Sequence, residues 1–530
     1  MSRALLKSTS VVSAFTLVSR VLGLVRDIVF AKFFGAGPLM DAFLVAFKIP
    51  NYLRRLFGEG AFAQAFVPVV SEYREQRSHE EVKSLADTIA GTFGGLLLTI
   101  TAFGMLAAPG IVYVFAPGFA DNPGQVELTA DLLRITFPYL FFIALTAFAG
   151  GILNTYGRFA APALAPVLLN IALISSAIWG SQWFDSPIYG LAWGVFAAGV
   201  AQLLLQLPWL ARLKLLPRPR WDRAHAGVKQ VGRLMLPALF GSSVAQVNLL
   251  VDTLVASFLA AGSITWLYYG DRLMEFPLGV FAIALGTVIL PKLSQQHAAK
   301  DSPQFSQTLD FALRLVMLVA LPAAVGLFTL AGPIIATLFF RGEFVASDVN
   351  MTRYALMAYA LGLMGFTLVK ILAPGYFARQ DTKTPVKVGI VAVCVNVVLN
   401  IAFVLVAIDQ EFIAPHAGLA LATGFAAITN ASLLFIGLRR RDVYHPGAGW
   451  GLFALRCLLA NATMAAVVTW QAGGLSVESL APWLEMDFWG RILRLAWCIA
   501  AGALAYVIIL FLLGLRPRHL KGAPGRAASV

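Results

Sequence analysis

Charged residues interrupt otherwise apolar sequence near the start of this chain. Arg20 and Arg26 are six positions apart, and they are followed by Asp41 and by the adjacent pair Arg54 and Arg55. A charge at the centre of a bilayer costs roughly 2.5–3.5 kcal/mol, so such residues normally face a bundle interior or a water-filled cavity. Guanidinium groups stay charged when desolvated and pair bidentately with phosphate. We therefore expect these five residues to line a cavity whose ligand is an anion.

A structural role for some of these arginines is the alternative. They would then lie at the membrane interface or pair with Asp27, Asp41 or Glu59. On a helix with a rise of 1.5 Å per residue, Arg20 and Arg26 lie about 9 Å apart along the axis and within about 120° around it. With Arg54 and Arg55 from the next helix they would surround a compact, doubly charged group, which favours the binding role.

A second group of charges opens another apolar segment. Asp271 and Glu275 are four residues apart on one helix face, with Arg272 beside the first. In a functional interpretation Arg272 contacts the anion, while the two acids, together with Glu59, gate the path or orient the ligand. In a structural interpretation the acids lie at a helix N-terminus and favour its dipole.

Three further polar residues lie within predicted spans and suggest an ion site. Asp252 could relay protons, or it could coordinate Na⁺ together with the amide oxygens of Asn396 and Asn400. The alternative for the asparagines is hydrogen bonding between helices. The chain contains no Walker A, GxSxG or HExxH motif, so we expect neither an enzyme nor a cofactor. Energy would come from Na⁺ or H⁺ coupling, the membrane potential or the substrate's own gradient.

Composition identifies the elements that must position these residues. The chain of 530 residues is 59% hydrophobic and only 13% charged, whereas soluble domains are typically 45–50% apolar and about 25% charged. This predicts an all-α polytopic membrane protein. Windows of about 20 apolar residues predict about 14 transmembrane helices, with a break in the second near Pro50 and Asn51. The predicted spans are 11–34, 42–70, 89–115, 128–153, 162–183, 188–210, 234–260, 267–290, 311–339, 354–372, 385–406, 417–438, 452–470 and 492–515.

The basic residues predict orientation rather than nucleic-acid binding. The net charge is +13, but most Lys and Arg cluster in alternate loops between spans, as in cytoplasmic loops of membrane proteins. Arg341 and Arg491 are the exceptions, since they fall in the other set of loops. Both termini join the basic set, so we expect both to be cytoplasmic, in agreement with an even number of spans.

The sequence also repeats itself. Residues 31–37 resemble residues 256–262 at an offset of 225, which places Asp27 on Asp252, and residues 168–173 resemble residues 398–403. Six spans per repeat predict two pseudo-symmetric six-helix lobes with parallel topology. We place an N-terminal lobe at 1–218, a C-terminal lobe at 219–445, and two additional helices with a basic cytoplasmic tail at 446–530.

The motifs resemble one known family. The segments 19–27, 41–43, 269–277 and 373–385, and above all Pro50-Asn-Tyr-Leu-Arg-Arg-Leu-Phe-Gly-Glu-Gly-Ala-Phe62, are similar to the MurJ (MviN) family of bacterial lipid II flippases. The resemblance implies the multidrug/oligosaccharidyl-lipid/polysaccharide exporter fold, with a central cavity and a groove at the two extra helices for an undecaprenyl tail. Functional positions of that family match Arg20, Arg26, Asp41, Arg54, Arg55 and Arg272.

The resemblance implies a flippase that moves lipid II, the diphosphate-linked peptidoglycan precursor, across the bacterial inner membrane. It would contact membrane lipids but no nucleic acid, and act as a monomer near cell-wall synthesis proteins. For Asp252, Asn396 and Asn400 the family implies ion coupling in some members. The alternatives are a cation-coupled exporter of drugs or other polyprenyl-linked sugars, and a membrane enzyme acting on polyprenyl phosphate. The enzyme would need an acidic metal-binding cluster, which the sequence lacks.

Overall fold

The computed structural model describes residues 3–55, 62–222 and 224–515. Regular structure within these ranges is helical, apart from an isolated bridge between Arg341 and Phe344. The α-helices, in chain order, are α1 Arg3–Phe34, α2 Pro38–Arg54, α3 Phe62–Gln76, α4 His79–Leu106, α5 Ala108–Phe115, α6 Pro123–Thr136, α7 Tyr139–Thr155, α8 Ala160–Ile178, α9 Ile188–Arg212, α10 Ala226–Ala256, α11 Ser263–Ala298, α12 Ser302–Thr329, α13 Ala331–Leu338, α14 Ala346–Phe377, α15 Lys383–Asp409, α16 His416–Arg440, α17 Trp450–Ala472, α18 Ala481–Glu485 and α19 Phe488–Leu512.

Ten helical segments in the described part are long and apolar enough to cross a membrane, which confirms a multi-pass all-α membrane protein. They are α4, α6 with α7, α8, α9, α12, α14, α15, α16, α17 and α19. The number of 14 spans therefore stays a prediction.

The expected break in the second span is wrong in its position. Helix α2 continues through Pro50 and ends at Arg54, and α3 begins at Phe62. Proline has no N–H, so it leaves the carbonyl four residues earlier, that of Ala46, without its usual donor. The buried hydroxyl of Thr136 donates to this carbonyl at 2.9 Å. A side chain of α6 thus replaces the missing backbone bond, and the helix does not break at Pro50.

Helix lengths support the predicted repeat. Helices α4 and α12 each have 28 residues, α5 and α13 each have 8, and α9 and α16 each have 25. Helices α2 and α11 begin at Pro38 and Ser263, which is the offset of 225 found in the sequence. Helices α17 to α19 follow the second copy. This order supports two repeats followed by additional C-terminal helices, while the number of six spans in each repeat stays a prediction.

Contacts group the chain into two compact units, Met1–Thr265 with Arg341–Phe344 and Trp266–Phe340 with Val345–Val530. The predicted lobe boundaries rest on the sequence repeat, whereas these units rest on contacts. The lobe boundaries therefore stay a prediction. The core of the first unit contains stacked rings of Phe62, Phe66 and Phe93, with centroids 4.9 and 4.4 Å from that of Phe62. In lipid, such close packing drives helix association, because the solvent is as apolar as the side chains.

In the second unit, glycines permit the close crossing of α14 and α16. A Cβ atom at Gly365 would lie 2.6 Å from the backbone nitrogen of Ile428, and one at Gly362 would collide with the backbone of Gly424. Small residues let helix backbones approach closely in membranes. A larger residue at either position would force the two helices apart.

An aspartate at the same place in each repeat binds the segment that follows that repeat. Asp87 and Asp310 each lie eight residues after the start of α4 and α12. Asp87 pairs with Lys83 and accepts the Arg218 backbone N–H at 2.7 Å, which holds the connection after α9. The equivalence of Asp87 and Asp310 was not evident from the sequence, because the connections that they bind are more than 100 residues away.

Asp310 binds the connection between α16 and α17 with more donors. Its Oδ1 accepts from the Tyr444 hydroxyl at 2.7 Å, the Gly447 N–H at 3.0 Å and the Trp450 indole at 2.6 Å. Its Oδ2 accepts from the Arg314 guanidinium at 2.8 Å. The carboxylate therefore fixes the start of the additional helices to α12.

Replacing Asp310 by Ala is expected to lower the free energy of unfolding by about 2–4 kcal/mol, because three partly buried donors lose their acceptor. Thermal unfolding of the purified protein in detergent measures this change. The matched control is Asp409→Ala at the exposed C-terminus of α15, where the carboxylate accepts from the side chain of Gln410. Equal stability of the two variants would contradict the anchoring role of Asp310.

Candidate functional site

Arg26 lies buried on α1 with its guanidinium fully engaged by polar groups of the first unit. Its Nε and Nη2 donate to Asp27 Oδ1 at 3.0 and 2.7 Å, and its Nη1 donates to Asn170 Oδ1 at 3.1 Å. Asn170, on α8, also donates to the Ser19 carbonyl at 2.9 Å. Arg26 and Asp27 are 7% and 3% exposed, so the two charges neutralise each other where water is scarce.

Asp41, near the start of α2, binds the N-terminus of α11. Its Oδ2 accepts the Gly262 N–H at 2.6 Å, while its Oδ1 accepts from the Thr265 N–H at 2.9 Å and hydroxyl at 2.6 Å. The first N–H groups of a helix have no intrahelical partner, and an acid at this end also favours the helix dipole. Asp41 is 3% exposed, so these bonds satisfy both a buried carboxylate and the start of α11.

The other predicted arginines of the first unit are half-buried. Arg54 donates from Nε to the Asn51 side chain at 2.8 Å, and Arg55 follows it at the C-terminus of α2. Arg20 lies on α1, about two turns before Arg26. Glu59, predicted as a gating or orienting acid, lies outside the described residues. Direct contact of these side chains with an anion stays a prediction.

The structure adds a cation that the sequence reasoning missed. Lys48 lies half-buried on α2 between Asp41 and Arg54, and its Nζ is 3.4 Å from Thr253 Oγ1 on α10. In the sequence, a lysine within an apolar stretch could have indicated this residue. The α2 helix thus carries Asp41, Lys48 and Arg54 within a single element.

In the second unit Arg272 pairs with one of its two predicted acidic neighbours. Its Nη1 donates to Glu275 Oε2 at 2.9 Å, and its guanidinium lies 5.1 Å from the centroid of the Tyr268 ring. The side chains of Arg272 and Glu275 are 31% and 44% exposed, and Asp271 is half-buried. All three lie within the first four turns of α11 rather than in its first turn, which weakens the interpretation of the acids as dipole partners.

The two asparagines of the predicted ion site form a hydrogen-bonded chain between α15 and α16. Asn400 donates to Asn396 Oδ1 at 3.1 Å, and Asn396 donates to Thr423 Oγ1 at 3.1 Å. Both asparagines are fully buried. These bonds agree with the helix-linking alternative. Asp252 belongs to the first unit, and the described residues contain no group of three His, Cys, Asp or Glu that would hold a metal.

The structure therefore pairs Arg26 with Asp27 and Arg272 with Glu275, and it places Asp41 on the amides of α11. The buried charges of Arg26, Asp27 and Asp41 interact strongly with their partners, because the local dielectric constant is low. The arrangement can present guanidinium groups to an anion that replaces the carboxylate partner.

Comparison with known proteins gives concordant results. The family model described as lipid II flippase MurJ matches residues 30–486. A protein named probable lipid II flippase MurJ from Vibrio cholerae is 46% identical over 98% of both chains. One named lipid II flippase MurJ from Burkholderia cenocepacia is 41% identical over 98% of this chain and 99% of its own.

Solved structures agree with the family model and the relatives. A lipid II flippase MurJ in an inward closed conformation covers 94% of this chain and 98% of its own, with 28% identity and a TM-score of 0.78. An inward-facing multidrug resistance transporter of the MATE family and MOP superfamily covers 80% of this chain and 94% of its own, with 17% identity and a TM-score of 0.64. The second likeness concerns the fold alone.

Replacing Asp41 by Ala is expected to lower the free energy of unfolding by about 2–4 kcal/mol, since it strands three buried donors. Thr265→Val, which removes one of those donors, is expected to cost about 1 kcal/mol. Thermal unfolding of both single variants and the double variant measures the coupling. Strict additivity of the two effects would contradict the proposed bonds, because partners in contact are expected to show an interaction energy.

Proposed function

Because the chain belongs to the MurJ family of lipid II flippases, we propose that it moves lipid II from the cytoplasmic to the periplasmic leaflet of the bacterial inner membrane. Membership makes the chain a membrane transporter and not an enzyme. The observation that carries the proposal is the extent of the similarity, since the 46% identity extends over 98% of both chains. Its role would lie in peptidoglycan biosynthesis.

The proposed ligand for the arginines is the diphosphate of lipid II. Arg20, Arg26, Arg54 and Arg55 of the first unit and Arg272 of the second supply guanidinium groups for it. Arg26 is held by Asp27 and Asn170 in this conformation, and Arg272 is held by Glu275. Exchange of a carboxylate for a phosphate oxygen keeps each guanidinium paired, while the displaced carboxylate then needs a proton or another donor.

Alternating access follows as the proposed transport cycle. Diphosphate binding from the cytoplasmic side would draw the arginines together, and release outside would follow when they separate. A ligand drives such a change only through different affinities for the two states, and multiple charge-assisted bonds supply that difference. A cation-coupled drug exporter is the alternative candidate, but a predominance of arginines suits anions better than cationic drugs.

Replacing both Arg26 and Arg54 by Ala is expected to slow lipid II movement at least about tenfold, because each loses a charge-assisted bond worth about 1.5–3 kcal/mol. Leaflet accessibility of labelled lipid II in liposomes with the purified protein measures the rate. The matched control is Arg439→Ala with Arg440→Ala, two exposed arginines at the end of α16, which should retain at least half the rate. Movement at the unmodified rate in the Arg26 and Arg54 variant would overturn the arginine mechanism.

Ion coupling is a separate proposal about the energy source. We expect Asp252 to respond to Na⁺ or H⁺, with Asn396 and Asn400 as further oxygen ligands in the Na⁺ case. An imposed Na⁺ gradient should accelerate flipping, and Asp252→Asn should remove that acceleration. Asp121→Asn, at an exposed position, is the control. Flipping that is independent of Na⁺ and pH and unaffected by Asp252→Asn would exclude coupling through this residue.

A further inference from the structure

A pocket of about 240 Å³ opens in the second unit at the ends of several helices. Its walls come from the junction of α11 and α12, from the connection between α14 and α15, and from the residues that follow α16. The lining residues are Gln296, His297, Lys300, Asp301, Ser302, Phe305, Arg379, Arg441, Asp442 and Val443. These connections belong to the basic loops that the sequence assigns to the cytoplasmic side. The pocket is separate from the residues to which the transport of lipid II is assigned above.

Two acids, Asp301 and Asp442, also lie in the pocket wall. Asp301 precedes α12 and accepts the Gln304 N–H at 3.0 Å, so it caps that helix. Asp442 Oδ1 lies 3.8 Å from His445 Nε2. Neither carboxylate is paired with Lys300 or Arg379 in the described part of the chain.

The charge of Arg441 is balanced by Asp381. Its Nη1 donates to Asp381 Oδ2 at 2.6 Å, and its Nη2 donates to the Thr384 hydroxyl at 3.0 Å. Asp381 lies between α14 and α15, where bonds from the Thr384 hydroxyl and N–H, and then from Arg441, lower its pKa to about 2. This carboxylate is therefore ionised at neutral pH, and it holds Arg441 as a fixed part of the wall.

Lys300 and Arg379 remain as cations without a carboxylate among the described residues. Lys300 is exposed and Arg379 is half-buried. A concave site with two such cations attracts an anion, and phosphate accepts several hydrogen bonds from ammonium and guanidinium groups at once. Lys300 and Arg379 thus offer two cationic contacts to a phosphate-bearing ligand.

Two residues of the pocket wall adopt a left-handed backbone conformation. Lys300 and Asp442 have φ angles of 56° and 60°, in the left-handed region. Both follow the end of a helix, where glycine is the usual residue because a side chain costs roughly 1–2 kcal/mol in this conformation. The chain thus carries a charged side chain at two positions where glycine would be less strained.

A buried acceptor lies in the same wall. Gln296 is 8% exposed, and its Nε2 donates to Thr308 Oγ1 at 2.9 Å. Its Oε1 has no donor among the described residues. A buried acceptor without a partner costs about 1–3 kcal/mol, which a ligand hydroxyl or a bound water would remove. The wall therefore combines cations for a phosphate with an acceptor for a neighbouring hydroxyl.

We propose that this pocket binds the phosphate group of an anionic ligand, with Lys300 and Arg379 as its charged contacts. A phospholipid headgroup such as phosphatidylglycerol and a soluble phosphate share this chemistry. Basic pockets at the cytoplasmic ends of membrane helices are suited to anionic headgroups. Here α12, α14, α15 and α16 all belong to the membrane-crossing set, and Phe377 beside the pocket is 43% exposed, as a lipid-facing side chain would be.

Ligand titration of the purified full-length protein in detergent tests the proposal. Short-chain phosphatidylglycerol, phosphatidylcholine and inorganic phosphate are titrated separately, and microscale thermophoresis gives the dissociation constants. The test variant is Lys300→Gln with Arg379→Gln. The matched control is Lys292→Gln with Lys387→Gln, which removes the same charge from exposed positions of α11 and α15 outside the pocket. Unchanged thermal unfolding without ligand shows that both variants fold.

The expected result is that phosphatidylglycerol binds more tightly than phosphatidylcholine, that the test variant weakens this binding at least tenfold, and that the control changes it less than twofold. The same pattern with inorganic phosphate but not with phosphatidylglycerol supports the pocket with a soluble ligand. Equal weakening in both variants, or an absence of binding to either anion, overturns the proposal, since only non-specific surface attraction would then remain.

Discussion

A charge placed in the apolar interior of a helix bundle must be compensated where it lies, because the low dielectric constant makes an isolated ion too costly. This constraint explains several contacts of the chain. Arg26 has Asp27 and Asn170, and Asp41 has the amides at the start of α11. Arg491, 9% exposed, donates to the Ala336 and Phe340 carbonyls at the C-terminal end of α13. Each compensated charge joins elements that are distant in sequence.

The same constraint explains one exception to the charge distribution of the loops. Arg491 falls in the set of loops that has no other Lys or Arg apart from Arg341, contrary to the pattern that predicts orientation. Its guanidinium satisfies carbonyl groups that have no intrahelical donor at the end of α13, where a cation also favours the helix dipole. A structural requirement of one helix end therefore accounts for a basic residue in this loop.

The sequence predicted the helices, the repeat and the family, because these depend on local hydropathy and on motifs within short segments. It also placed Asp27 among the candidate partners of the arginines. The bonds of Asn170 to Arg26 and of Thr265 to Asp41 could not be predicted, since they join residues 144 and 224 positions apart. The helix through Pro50 was missed for the same reason. The proline is visible in the sequence, whereas the hydroxyl that compensates it belongs to another helix.

That compensation links two positions of the chain genetically as well as physically. With Pro50 present, the Ala46 carbonyl depends on Thr136 for its hydrogen bond. With a residue that has an N–H at position 50, the carbonyl would regain its backbone donor and the hydroxyl at position 136 would become dispensable. The order of substitutions then matters: a change at 50 permits a later change at 136, whereas the reverse order passes through a helix with an unpaired carbonyl.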